Sequence, residues 1–122
     1  MSTETDIQNQ IRIDAARHGL ILWRNNNGVL FDAEGRPVRY GLGNDSRAVN
    51  EKLKSSDLIG IFHGKFCSVE VKESDWTFRG NAREVAQLTW IRLIRREGGI
   101  ACFATCFDDV LEYIEKGSNR HP

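Results

Sequence analysis

The chain has little of what staples, kinks or anchors a fold. Only three of its 122 residues are cysteine and two are proline. Cys67, Cys102 and Cys106 cannot all pair within one chain and form no Cys-x-x-Cys. That pattern argues against a disulfide framework and a cysteine zinc cluster, and a reducing, cytoplasmic compartment is expected. His18, His63 and His121 are too scattered to seat zinc. No apolar run approaches the ~18 residues of a membrane span. Met1–Asp6 has neither the basic start nor the apolar stretch of a signal peptide, so no membrane role is expected. Repeats, linkers and low-complexity segments are absent as well. With 40% hydrophobic and 28% charged residues, the composition is that of a globular chain, and its length suits a single domain over 1–122.

Net charge is zero, but the charges are not evenly spread. Residues 35–54 hold five cations (Arg36, Arg39, Arg47, Lys52, Lys54) against Asp45 and Glu51. Residues 77–96 hold five arginines against Glu84, whereas 97–117 hold five acids against Lys116. Arginine outnumbers lysine 12 to 5, and its planar fork matches phosphate better than a lysine point charge does. Such runs are commonly solvated faces; here a phosphate-facing role stands beside that reading.

Local signals order the elements. Thr3-Glu4-Thr5-Asp6 suits a helix start, Ile7, Ile11 and Ala15 form one stripe, and Gly19 suits the end. Leu20–Arg24 reads as a strand, Asn25–Gly28 as a turn, and Val29–Asp32 with Pro37–Tyr40 as a hairpin around Ala33-Glu34-Gly35. Gly41–Ser56 is polar, aperiodic and long for a loop in a compact domain, a pattern that points to function or mobility. Leu58–Phe62 and Phe66–Lys72 read as strands joined by a three-residue turn, His63-Gly64-Lys65. Asn81–Glu97 is helical and apolar on two sides, with Ala82, Val85, Ala86 and Leu93 on one and Leu88, Ile91 and Ile94 on the other, so a sandwiched helix is expected. Gly98-Gly99 stops it, Ile100–Thr105 reads as a strand and Asp108–Lys116 as a helix closed by Gly117. The expected fold class is α/β: a mixed central β-sheet flanked by helices.

The chemistry concentrates where those two strands meet. Side chains alternate along a strand, so Glu70 and Lys72 share one face with Cα atoms ~6.6 Å apart, while Val71 points to the opposite layer. Asp57 heads the preceding strand, and antiparallel pairing brings that head beside the end of its partner. Two carboxylates and an ammonium then gather at one end of a sheet. Carboxylates suit Mg²⁺ or Mn²⁺, which keep waters and take substrate phosphate oxygens as further ligands. Such a constellation fits phosphodiester hydrolysis and needs no cysteine or histidine nucleophile.

Asp57…Glu70-Val71-Lys72 resembles the motif of the PD-(D/E)XK nuclease superfamily and, more narrowly, of the small phage and bacterial VRR-NUC nucleases. Matching stretches are Glu4-Thr5-Asp6-Ile7-Gln8, Leu22–Asn26 with Gly28, Arg39-Tyr40-Gly41-Leu42, Ser55–Gly60, Gln87 and Gly98–Ala101, across residues 3–112. Ser56 stands where the superfamily pattern has proline, and Asn44–Lys54 is longer than the minimal pattern.

The resemblance implies a restriction-endonuclease-like αβββαβ core and a Mg²⁺- or Mn²⁺-dependent DNA endonuclease. Branched DNA such as Holliday junctions or flaps is the implied substrate, and a homodimer would supply two active sites. It assigns metal ligation to Asp57, Glu70 and the main-chain carbonyl of Val71. Lys72 would position the attacking water, Gln87 would orient the water or the lysine, and Glu4 would add an acid, for a second ion.

The DNA-contact candidates are Arg24, Asn25, Asn26, Arg36, Arg39, Arg79 and Arg83, all on turns, loops or loop ends apart from the first. Of Trp23, Trp76 and Trp90, the expectation is core or interface, with loop residue Trp76 the best base-stacking candidate. Cys102 and Cys106 read as small core residues. A DNA-binding protein without catalysis stays open, as does a sequence-specific or RNA-cleaving nuclease on the same core.

Overall fold

The computed structural model describes residues 3–122; Met1 and Ser2 lie outside the described residues. Helix α1 (Glu4–Arg17) opens on a capping box: the Thr3 hydroxyl accepts from the Asp6 amide, and the Asp6 carboxylate accepts from the Thr3 amide. It buries Ile7, Ile11 and Ala15, the stripe read from their spacing. Strands β1 (Ile21–Arg24), β4 (Leu58–Phe62), β5 (Lys65–Val71) and β6 (Ile100–Ala104) make a mixed sheet in the order β1-β4-β5-β6. The pairs β1–β4 and β4–β5 are antiparallel, and β5–β6 is parallel. A parallel pair needs a long crossover, which α3 (Ala82–Arg96) provides. Helix α4 (Phe107–Lys116) follows and ends on Gly117.

The sheet has two covered faces. One carries Leu22, Leu58, Val69, Val71 and Cys102 against α1 and α4; the other carries Ala101 and Phe103 against Leu88, Trp90 and Ile91 of α3. Gly60 lets β1 and β4 approach: a Cβ there would lie 1.8 Å from the Ile21 carbonyl oxygen. With β2, β3 and α2 set aside, the order is α-β-β-β-α-β plus a final helix. Among the described residues, no helix is long and apolar enough to cross a membrane.

The expected hairpin forms from strands β2 (Gly28–Phe31) and β3 (Pro37–Tyr40), which pair only with each other as a ribbon outside the main sheet. Three local expectations are corrected. Segment 41–56 is not all loop: Ser46 caps a short helix, α2 (Arg47–Lys52), too brief to show a period. Helix α3 is covered on its sheet side, but Ala82 and Val85 face solvent, so it is not sandwiched along its length. The β4–β5 turn has two residues, not three: His63 and Gly64 both take positive φ, as a type I′ hairpin requires.

Candidate active site

That turn decides the site. With Phe62 opposite Lys65 and Leu58 opposite Val69, the next positions along the two strands are Asp57 and Glu70. The Asp57 carboxylate accepts from the Val71 amide at 2.9 Å, which ties the head of one strand to the end of the other. Asn25 donates from its backbone to the Asp57 carbonyl and from its side chain to Ser55 and the Ser56 carbonyl. The turn after β1 is thereby pinned to the approach of β4. Gly41, at φ +105°, lies so close to Asn27 that a Cβ would meet its side-chain oxygen at 1.9 Å.

Glu70 is only 4% exposed. Burial, then the adjoining Asp57 carboxylate, pushes its pKa well above the usual carboxylate range; Lys72 and Arg83 pull the other way and lose. Among the described residues, neither carboxylate forms a salt bridge. Lys72 turns from them to the Gln87 side-chain oxygen at 2.9 Å. Its ammonium also lies 5.5 Å from the centre of the Trp76 ring and 6.0 Å from that of Phe103. An amide dipole and two aromatic faces therefore position this cation without neutralising it.

Glu70 is a buried carboxylate beside a partly exposed one, Asp57, with no salt-bridge cation among the described residues, an arrangement that favours a proton on Glu70 or a divalent ion between the two. No group of three or more His, Cys, Asp and Glu side chains converges among the described residues. Two carboxylates with open space beside them nevertheless fit Mg²⁺ or Mn²⁺, which keep several waters and share phosphate oxygens. The open space is a cleft of about 790 Å³ that both Asp57 and Glu70 line.

The other predicted residues divide. Gln87, Arg24, Asn25, Asn26 and Arg83 line the same cleft. Arg39 stands behind it, donating to the Asn44 carbonyl and side-chain oxygen at 2.7 Å each. Glu4 and Arg79 border a separate groove shared with Lys72 and Trp76. Burial and Asp57 raise the Glu4 pKa, so it feels the site's charge from outside the carboxylate pair. Arg36 is not in the cleft. It closes the tip of the β2–β3 ribbon on Asp32 and Glu34, where its charge is already matched.

Trp76 is part of the wall and not a free stacking platform. Its ring packs on Phe103 and His121 at 4.8 and 5.4 Å, and its indole N–H donates to Glu84 at 2.8 Å. Trp90 is core, with its N–H on Ser68, while Trp23 is half exposed. Cys102 is buried, and desolvation pushes its thiol up to about 12; Cys106 instead sits partly exposed at the N-cap of α4.

Sequence reasoning missed Asn44, Lys54, Ser55 and Glu84. Asn44 is buried and donates to the Gly28 and Tyr40 carbonyls, fastening the ribbon to the cleft. Glu84 gathers the amides of Arg79, Gly80 and Asn81 and so shapes the loop before α3. Lys54 carried a weak signal in the cation-rich run 35–54, Ser55 stood in the matching stretch Ser55–Gly60, and Glu84 is the third residue of an Asn81 capping box. No family model matches the chain, and neither does any curated protein.

Proposed function

We propose that this protein is a Mg²⁺- or Mn²⁺-dependent DNA endonuclease, of the kind its resemblance to VRR-NUC nucleases implies, acting on branched DNA. The observation that supports the reading is that Asp57 and Glu70, at one end of the β4–β5 pair, line an open cleft with Gln87 of α3, whose side-chain oxygen holds Lys72 from the adjoining groove. Asp57 and Glu70 would hold the ion with help from the Val71 carbonyl. The chemistry such an ion supplies is acidification of a water and neutralisation of charge on the phosphoryl oxygens. Lys72, held on an amide oxygen, would steady the charge that builds on the phosphoryl oxygens and align the incoming water. Gln87 fixes the lysine's direction. Because neither carboxylate has a salt-bridge partner among the described residues, their affinity for a divalent ion is not spent on an internal ion pair.

Cutting a junction symmetrically takes two sites, which a two-fold homodimer supplies. The free thiols of Cys67, Cys102 and Cys106 support a reducing, cytoplasmic setting. The purified protein should nick a labelled four-way junction with Mg²⁺, and Glu70→Gln should lower the rate by at least ~10³-fold. Comparison with linear duplex and RNA tests the substrate class. Metal-independent gel shifts with no cleavage by the wild type under any divalent ion would leave a DNA-binding protein in place of an enzyme.

A further inference from the structure

Four cations in or beside the cleft share one kind of partner. Arg24 donates to the Asn9 side-chain oxygen at 2.9 Å, Arg39 to that of Asn44 at 2.7 Å, Lys54 to that of Asn50 at 2.6 Å, and Lys72 to that of Gln87 at 2.9 Å. Each partner is a neutral amide. Away from the cleft several cations pair with carboxylates instead, Arg17 with Asp14, Arg36 with Asp32 and Glu34, Arg47 with Glu51, Arg120 with Asp109, while Arg12 and Arg95 donate to backbone carbonyls. An amide oxygen fixes the direction of a cation as a carboxylate does but leaves its charge unspent. A row of amide-held cations is therefore preorganised for an anion that comes from outside.

Lys54 is the member that no motif indicated. Its backbone N–H donates to the Ala86 carbonyl of α3 at 3.1 Å, which fixes it against the helix that carries Arg83 and Gln87. Those two residues are one turn apart, ~6 Å along the axis, a distance on the scale of one nucleotide step. Lys54 and Arg83 both line the cleft with Asp57 and Glu70. We propose that Lys54, with Arg83 beside it and Arg39 behind, forms a second phosphate subsite that takes the phosphodiester neighbouring the scissile one. The proposal rests on the nuclease reading for which phosphate is cleaved, but not for the binding of the strand. Partial burial, followed by the nearness of Arg83 and Arg39, lowers the Lys54 pKa. Like charges crowded this way are relieved when an anion enters.

The test is fluorescence anisotropy of a labelled four-way junction in EDTA, titrated with NaCl. Each phosphate released from contact should flatten the plot of log K against log salt by roughly 0.9. Lys54→Met is expected to weaken binding about five- to tenfold and reduce the slope by about 1. Lys54→Arg should restore both, and Lys116→Met, on the far end of α4, should change neither. Asn50→Asp, which replaces the amide with a carboxylate of the same shape, should reproduce the loss although Lys54 remains. A slope unchanged in Lys54→Met and Arg83→Met overturns the subsite, whether or not the wild type cleaves. A reduced slope in a protein that never cleaves with Mg²⁺ or Mn²⁺ keeps the subsite and removes the nuclease. A wild type with no junction affinity removes both.

Discussion

Glu70 and Asp109 are almost equally hidden, 4% and 5% exposed, yet their surroundings drive them in opposite directions. Around Asp109, burial is outweighed by hydrogen bonds from Arg120, the Thr105 amide, His121 and the Thr105 hydroxyl, and its pKa falls to about 2. Around Glu70 no donor answers the charge, and the nearest partner is another carboxylate. The first acid is finished as a structural part: it ties the end of the chain, through Arg120 and His121, to the start of α4. The second is left open toward a cleft. Solvent exposure is nearly the same in both; Glu70 is the more deeply desolvated, and the fold supplies counter-charge to Asp109 but, among the described residues, none to Glu70.

The comparison can be broken most directly by taking the charge from each. Asp109→Asn should destabilise the protein by about 3 kcal/mol, because Arg120 and His121 lose a buried partner. Glu70→Gln, measured without metal, should be neutral or stabilising by up to ~1 kcal/mol, because the fold then no longer holds a carboxyl group whose ionisation burial opposes. Urea unfolding of both variants checks the pair. Equal losses would show that both acids are structural.

Acid titration sharpens the same contrast. The Asp109 pKa is about 2 in the folded protein against an ordinary 3.8. Its contribution is therefore complete above pH 3.8 and fades as pH falls toward 2. In that window the wild type should lose about 2 kcal/mol more stability than Asp109→Asn does. Parallel stability curves for the two proteins would refute the assignment.

A third test follows the strap formed by the chain's last residues inward. His121 lies against Trp76, and Trp76 lies beneath the Lys72 ammonium. Trp76→Leu should lower kcat about tenfold with a smaller change in KM, and Trp76→Phe should recover most of the loss, since a ring remains under the cation. The smallest effect is expected at Ser56, whose buried hydroxyl has no partner among the described residues. Ser56→Ala should leave cleavage intact and shift stability by less than ~1 kcal/mol, in the stabilising direction.

Much of this was legible along the chain. The Thr3 and Asn81 helix starts, the Gly19 and Gly117 stops and the alternation through Glu70-Val71-Lys72 are local signals read at short range. They predict the α/β class, the element order and the placing of Asp57 beside Glu70, the pair on which the proposed function rests. Helix α2, at six residues, shows no period to read, and nothing local says that β2 and β3 leave the main sheet. The predicted role of Arg36 as a DNA contact overlooked Asp32 and Glu34, which a tight hairpin tip folds back onto it.

The sequence alone determined the local elements and which acids, amides and cations they carry, because helix caps, turns and strand alternation depend on neighbours a few positions away. Which charges were left free was decided only by the tertiary structure. Asn9 meets Arg24, Gln87 meets Lys72 and Arg120 meets Asp109 across 15, 15 and 11 positions of sequence. The charge balance of a buried group is set by whatever packing brings within hydrogen-bond distance, and that distance is not written in the order of the residues.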